Sequence, residues 1–119
     1  MKGIAQYQEA AVTTQSKGRL IVLLCEGAVK FMNLAIERLQ AGDYEAKGKY
    51  INRAQDIISE LNAVLNTDDG GEIADNLAKL YGFMQTRLSE ANAKCDPEII
   101  REVITIMQEL NQGWKTIAG

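Results

Sequence analysis

Three short breaks divide the chain into four segments, each of a length that suits a helix. Gly42 and Asp43 form the first break, TDDGG at 67–71 forms the second, and the pair Asp96 and Pro97 forms the third. Glycine favours the end of a helix, aspartate caps the start of one, and proline fits the first turn. The sequence therefore predicts helices at about 17–40, 43–66, 72–94 and 97–117.

Apolar residues recur every three or four positions in all four segments, which is the spacing of one buried helix face. Short connections force successive helices to run antiparallel, so the sequence predicts an all-α, up-down-up-down four-helix bundle over 16–119. Each helix of ~23 residues is expected to be about 35 Å long. The expected core residues are Leu24, Phe31, Ile58, Leu61, Leu80, Leu88, Val103, Met107, Leu110 and Trp114.

The first helix carries more apolar surface than a single core face needs. In RLIVLLCEGAVKFMNLAI at 19–36, the polar side chains share a narrow arc, and apolar ones fill roughly 260° of the circumference at ~100° per residue. One stripe, which includes Leu24 and Phe31, is expected in the core. A second stripe is rotated away from it and consists of Ile21, Cys25, Val29, Met32 and Ile36.

Two interpretations of the second stripe remain open. Either the helix lies centrally and contacts both neighbours, or part of its surface is a docking site, because exposed apolar patches commonly mark partner surfaces. Residues 1–15 are expected to form a mobile N-terminal arm, and they carry Ile4, Tyr7 and Val12. Such an arm can lie on spare apolar surface until a stronger ligand displaces it. Phe83 projects away from the apolar face of the third helix and is a candidate interface anchor.

The residue inventory argues against catalysis and against cofactor binding. The chain contains no histidine, so it lacks the commonest general base and the commonest metal ligand. Cys25 and Cys95 have neither metal-site nor redox-motif spacing. The glycines Gly70 and Gly71 lack the preceding strand of a phosphate-binding loop. We therefore expect no enzymatic activity, no cofactor and no metal.

Charge and hydropathy narrow the range of partners and compartments. The net charge is −3, whereas a general nucleic-acid binder needs a basic face. No apolar run approaches membrane-spanning length, and the first ten residues lack the apolar segment of a signal peptide. We therefore expect a cytoplasmic protein without nucleic acid or stable membrane insertion, whose partner is an apolar segment of another protein.

Residues 70–92 carry a run of motifs more specific than helical periodicity. The run reads GGEIADNLAKLYGFMQTRLSEAN. It resembles the signature Gly-Gly-x-Ile-Ala-x-Asn-Leu, Leu-Tyr-x-aromatic-Met, Arg-Leu and Ala-Asn of the flagellar export chaperone family FliS. The segments at 26–31, 42–58 and 109–115 resemble other parts of the same family in the same order. The resemblance covers nearly everything from residue 7 to residue 115.

The resemblance implies a cytosolic chaperone for the disordered C-terminal region of flagellin, acting before export through the flagellar type III secretion system. The client wraps around a helical bundle and is kept from polymerising prematurely, and the export gate and a regulatory protein are further partners. The client- and arm-binding surface is then expected at Ile4, Tyr7, Val12, Ile21, Cys25, Val29, Met32, Ile36, Asn76, Leu77, Tyr81, Phe83 and Met84. The alternative is a helical-bundle adaptor that binds a regulatory protein or itself and has no role in export.

Overall fold

The computed structural model consists of four α-helices. It describes the backbone of residues 2–66 and 71–118 and the side chains of residues 17–65 and 71–117. The helices are α1 (Lys2–Gln40), α2 (Tyr44–Asn66), α3 (Gly71–Lys94) and α4 (Pro97–Ala118). Those backbone ranges contain no strand, so the predicted all-α fold is confirmed.

The four helices form a square in which each one packs against two others. Successive helices are in contact, and α1 also packs against α4. Across the described residues, the backbones of the diagonal pairs, α1 with α3 and α2 with α4, do not approach each other closely. Contacts between α2 and α3 run in opposite directions along the two helices, because Lys47 bonds to Asn92 and Gln55 bonds to Gln85. Successive helices are thus antiparallel, as short connections predict.

Backbone hydrogen bonds around Gly42 end the first helix. The Gly42 N–H donates to the Leu39 carbonyl at 3.1 Å, and the Asp43 N–H donates to the Arg38 carbonyl at 2.8 Å. Gly42 has a φ of 79°, a left-handed conformation that glycine adopts without steric cost. The Asp43 carboxylate then accepts a bond from the Ala46 N–H at 3.1 Å and caps α2. One glycine–aspartate pair therefore ends α1 and begins α2.

The start of α1 differs from the prediction. The helix begins at Lys2 rather than near Lys17, and residues 2–16 continue it without a break. Extension of an existing helix adds a hydrogen bond for each residue without a new nucleation step. No proline in this part of the chain prevents the extension. The mobility expected of residues 1–15 is a separate property and stays a prediction.

The core is one cluster of side chains drawn from all four helices. Of the residues expected there, those that are fully buried are Ile58, Leu61, Leu88, Val103 and Met107. The others are partly buried and pack against the cluster; they are Leu24, Phe31, Leu80, Leu110 and Trp114. Burial is therefore graded, from complete at the centre of the bundle to partial along the seams between helices.

The two apolar stripes of α1 are buried in the reverse of the expected order: the second stripe packs deepest in the bundle, and the first is only partly buried. In the second stripe, Ile21, Cys25 and Met32 are buried in the core. In the first stripe, by contrast, Leu24 and Phe31 are only partly buried, although they pack against the core. The stripe expected at a docking surface is thus the one that packs inside the bundle. This corrects the assignment of those three buried residues, and of Ile36, which is buried as well.

Residue spacing explains the reversal. The buried positions of α1 are Ile21, Cys25, Ala28, Met32, Ala35, Ile36 and Leu39. Apart from Ile36, they alternate in steps of four and three, the repeat that keeps one helix face against its neighbours in a bundle. Ala28 and Ala35 complete this repeat, so these two alanines are the sequence signal that identifies the buried face.

Neighbours on both sides cover the broad apolar surface of α1. A Cβ atom on Gly27 would lie 3.3 Å from Cδ1 of Ile57, so α2 approaches closely at this point. Phe31 stacks on Tyr50 of α2 with the ring centroids 6.1 Å apart. On its other side, α1 shares a groove with α4 that Ile104 lines. The first interpretation, a helix that contacts both neighbours, therefore holds for most of this surface.

Side-chain amides join α2 to α3 reciprocally. The Gln55 amide nitrogen donates to the main-chain carbonyl of Gln85 at 3.2 Å, and the Gln85 amide nitrogen donates to the main-chain carbonyl of Gln55 at 2.8 Å. The hydroxyl oxygens of Ser89 and Ser59 accept second bonds from these amides, at 2.9 Å and 3.1 Å. Together the four bonds set the register of the two helices.

The buried Lys47 side chain caps the end of α3. Lys47 is only 5% exposed, and its ammonium donates to the Asn92 main-chain oxygen at 3.0 Å and to Asn92 Oδ1 at 2.6 Å. Its Nζ also lies 3.7 Å from Sγ of Cys95, which has a φ of 53° just past the helix end. A cation is favourable there because the last carbonyls of a helix carry partial negative charge. One ammonium thus joins the start of α2 to the end of α3.

We expect Lys47→Met to lower the free energy of unfolding by about 1–3 kcal/mol, because it leaves part-buried acceptors on Asn92 without a donor. Lys49→Met is the matched control, since Lys49 is exposed on the same helix and its replacement should change stability by less than about 0.5 kcal/mol. Urea denaturation followed by circular dichroism measures both variants. Equal stabilities would show that the Lys47 cap contributes nothing.

Met32→Ala should lower the free energy of unfolding by about 2–5 kcal/mol, because truncating a fully buried side chain leaves a cavity. Leu23→Ala on the same helix is the control; Leu23 is 58% exposed, and its truncation should cost no more than about 0.5 kcal/mol. The same denaturation experiment compares them. A greater loss of stability in Leu23→Ala would contradict the burial of Met32 and of the stripe that contains it.

Candidate functional site

Large apolar side chains are exposed mainly at one end of the bundle. Leu20 and Leu23 are exposed where α1 enters the bundle, Ile73 is exposed in the first turn of α3, and Ile117 is exposed near the end of α4. Because the helices are antiparallel, these four residues share one end, which we call the apolar end. Exposed apolar groups gathered in one place commonly mark an interaction surface.

The N-terminal part of α1 continues past this end. The approach of Gly27 to Ile57 places about residue 18 of α1 level with Asn66, the last residue of α2. Residues 2–16 extend the same helix beyond that level. The N-terminal segment therefore leaves the bundle next to the apolar end.

On α3, the surface predicted from the sequence divides into buried and exposed residues. Tyr81 and Met84 lie in the core, which corrects their assignment to a docking surface, because they belong to the repeat that faces the bundle axis. Leu77 is partly buried and Asn76 is exposed. Phe83 is 45% exposed and stands apart from the packed face, as its position outside the stripe predicts.

The remaining residues of the predicted surface are on α1. Val29 is partly buried and lines a groove between α1 and α4. The side chains of Ile4, Tyr7 and Val12 lie outside the described residues. The expected contact between those three side chains and the bundle therefore stays a prediction.

Several buried polar groups lie in the half of the bundle nearer the apolar end. Burial raises the pKa of Cys25 to about 11, with a further contribution from the carboxylate of Glu26. Burial likewise raises the pKa of Tyr81 to about 12. Within the described residues, neither the Tyr81 hydroxyl nor Oδ1 of buried Asn111 has a hydrogen-bond partner.

These buried groups have an energetic consequence rather than a chemical one. With the pKa of its thiol raised, Cys25 stays protonated at neutral pH and is inert as a nucleophile. A buried polar atom without a partner costs about 1–3 kcal/mol, so the packing beside the apolar end carries a cost that apolar layers lack. Sequence reasoning did not identify Asn111 as buried; its one signal is its position four residues after Met107, on the packed face of α4.

Two grooves run alongside α1. The groove between α1 and α4 has a volume of about 700 Å³, and its lining alternates charged side chains such as Lys30 and Glu37 with apolar ones. A smaller cavity of about 340 Å³ lies between α1 and α2, and Phe31 and Tyr50 form part of its lining. The part of α1 around residues 30–37 is thus accessible from both sides.

In the part of the chain that the structure describes, no three His, Cys, Asp or Glu side chains lie together as a metal site. No helix within the same ranges combines the length and the apolar character needed to cross a bilayer. The candidate site is the apolar surface that Leu20, Leu23, Ile73 and Ile117 expose at one end of the bundle.

Comparison with known proteins finds relatives along the whole chain. The family model described as "Flagellar protein FliS" matches residues 1–119. The flagellar secretion chaperone FliS of Salmonella typhimurium is 38% identical over 120 residues, which cover 99% of this chain and 89% of the relative. The protein of the same name from Vibrio cholerae is 34% identical over 122 residues, covering 98% and 90%. Flagellar secretion chaperone FliSB of Pseudomonas aeruginosa is 36% identical over 122 residues, covering 99% and 97%.

The family match and these relatives agree with the motifs at 70–92 and with the four-helix fold. Because the match spans the entire chain and several relatives exceed 30% identity over most of their length, this chain belongs to the FliS family of flagellar proteins.

Proposed function

We propose that this protein is a flagellar export chaperone that binds the disordered C-terminal region of flagellin. It keeps flagellin from polymerising prematurely and assists its export through the flagellar type III secretion system. Membership of the FliS family supports the chaperone role. The observation that carries the proposal is the apolar end, where large apolar side chains are exposed beside the point at which α1 leaves the bundle.

Coupled folding and binding suits such a client. A disordered segment can cover a large surface at modest net affinity, since the entropic cost of ordering it offsets much of the free energy of burying apolar surface. The client would cover Leu20, Leu23 and Ile73, together with Phe83 midway along α3. Complete burial of one such side chain contributes about 1.5–3 kcal/mol before the ordering cost is subtracted. A small net affinity allows release, which export requires.

In this role the protein works in the cytoplasm, before the client reaches the export gate. The gate and a regulatory protein are further partners that the family resemblance implies. None of these contacts needs a catalytic group, in keeping with a buried and protonated Cys25. Binding alone accounts for the function.

Self-association is the second candidate function. The side chains of the apolar end are exposed to a second copy of the chain as well as to a client. Sedimentation of the free protein and of its mixture with flagellin distinguishes the two. A chaperone forms a mixed complex with flagellin, whereas a self-associating adaptor forms oligomers that flagellin does not alter.

A peptide from the C-terminal region of flagellin should bind at about one to one, with a negative heat-capacity change because apolar surface is buried. Phe83→Ala should weaken this binding by at least about 1 kcal/mol as the loss of an interface anchor. It should leave the melting temperature within a few degrees, because Phe83 is outside the core. Isothermal titration calorimetry at several temperatures, with thermal melts, measures all three.

Lys79→Ala is the control for Phe83→Ala, since Lys79 is exposed on the same helix and its loss should leave the affinity unchanged. Absence of any binding at micromolar concentrations would rule out the proposed function. A large loss of stability in Phe83→Ala with unchanged affinity would instead assign Phe83 to the core.

Deletion of residues 1–15 should tighten client binding and increase self-association. If the segment occupies client surface in the free protein, the apparent association constant is the intrinsic one multiplied by the fraction of molecules whose surface is uncovered. Deletion removes this reduction and also exposes apolar surface. Titration of the truncated protein measures the first effect and sedimentation the second. Hydrogen exchange adds a direct test, because amides near Ile4 and Tyr7 should exchange faster once the client is bound. Slower exchange there in the complex would contradict displacement.

A further inference from the structure

One cavity of the bundle is lined partly by cations, whereas the apolar end consists of exposed apolar side chains. It lies between α1 and α2, has a volume of about 340 Å³, and is lined by Phe31, Ala46, Lys49, Tyr50 and Arg53. This volume falls at the lower end of the ~300–1,000 Å³ that is typical of ligand pockets. Its lining combines two aromatic rings with two cations and contains no carboxylate.

The aromatic rings supply an ordered apolar floor. The centroids of Phe31 and Tyr50 are 6.1 Å apart and the ring planes are inclined by 23°. Both residues are partly buried and pack against the core, so the rest of the bundle holds them in place. A stacked pair of this kind offers a rigid surface for an apolar side chain.

The cations supply a positive rim that the protein itself leaves largely uncompensated. Lys49 and Arg53 are exposed and one helical turn apart, so they lie on the same side of α2. Glu45 approaches Lys49 only to 3.8 Å, which is longer than a hydrogen bond, and both of those side chains are mostly solvated. Arg53 makes no ion pair with any described residue. The rim is therefore complementary to an anionic group placed above an apolar floor.

We propose that this cavity binds the C-terminus of the client polypeptide. The terminal carboxylate lies between Lys49 and Arg53, and an apolar side chain from the last few residues lies on the stacked rings. This inference rests on the proposed function, in which the client contributes its C-terminal region, and such a region ends in a main-chain carboxylate whatever its sequence. Arginine binds a planar carboxylate through paired, charge-assisted hydrogen bonds, and capture of a terminal carboxylate is a recurring mode of peptide recognition.

A lipid surface fits these observations less well than a peptide does. Segments that bind anionic membranes carry clusters of about four to eight lysines or arginines, whereas this cavity has only Lys49 and Arg53. The net charge of the chain is −3, which disfavours approach to a negative membrane. A single carboxylate of a polypeptide is a better match for two cations beside an apolar floor.

Two flagellin C-terminal peptides that differ only at the terminus test the inference, one with a free carboxylate and one with a carboxamide. Amidation should weaken binding to the wild-type protein about three- to tenfold at low salt, since exposed charge pairs contribute modestly and are screened by salt. In the double variant Lys49→Gln/Arg53→Gln, the two peptides should bind equally. Calorimetric titration of both proteins with both peptides completes a double-mutant cycle that isolates the pairwise contribution.

Lys79→Gln is the matched control, because it removes an exposed cation that does not line the cavity, and it should keep the wild-type ratio of affinities. Thermal melts of each variant establish that the fold is retained. The inference is wrong if amidation does not weaken binding to the wild type, or if amidation still weakens binding to the double variant. If the double variant binds both peptides more weakly than the wild type does, and amidation has no effect on binding to the wild type, an acidic side chain of the client occupies the cavity and the inference is wrong. Failure of both peptides to bind the wild type contradicts the proposed function itself, and this inference with it.

Discussion

The structure depends on the close packing of α1 against both α2 and α4. Small side chains make this approach possible: Ala28 and Ala35 occupy the buried face, and a side chain on Gly27 would press against Ile57. Because both neighbours come so near, most of the wide apolar surface of α1 lies inside the bundle. What remains accessible is a groove on each side of the helix and the exposed side chains at the apolar end.

The two ends of the bundle differ in how their polar and apolar groups are paired or covered. At one end, Gly42 allows a tight turn and Lys47 bonds to the last turn of α3 at Asn92, so polar groups are paired and the helices are tied together. Toward the other end, Tyr81 and Asn111 bury polar atoms without partners among the described residues, and at that end apolar side chains face the solvent. A binding protein needs a stable scaffold and a surface that gains free energy when it is covered, and this division supplies both.

In the proposed function the protein binds its client without covalent chemistry, so specificity would come from the placement of apolar and charged surface. The apolar end and the cavity at Phe31 and Tyr50 lie at different heights along α1. Together the two proposed contacts orient the client, with its terminus over Lys49 and Arg53 and its preceding residues directed toward the apolar end. In that arrangement, apolar contacts would provide most of the affinity, and the screened charge pair would set the register of the client on the bundle.

The sequence by itself determined the helices, the bundle and the family, because caps such as Asp43, helical periodicity and ordered motifs are properties of neighbouring residues. Only the tertiary structure decided which apolar stripe of α1 faces the bundle axis, since both stripes satisfy the same periodicity and the choice depends on how closely α2 and α4 approach. The burial of Lys47 and Asn111 could not be predicted from the sequence either. Lysine and asparagine are usually exposed, and these two are buried because neighbouring helices pack over them. The exposure of Phe83 could be predicted, because the sequence alone shows that Phe83 lies outside the packed repeat of its helix. The cavity at Phe31 could not be predicted, because Phe31 lies on α1 and the cations Lys49 and Arg53 lie on α2, and only the packing of the two helices brings them together.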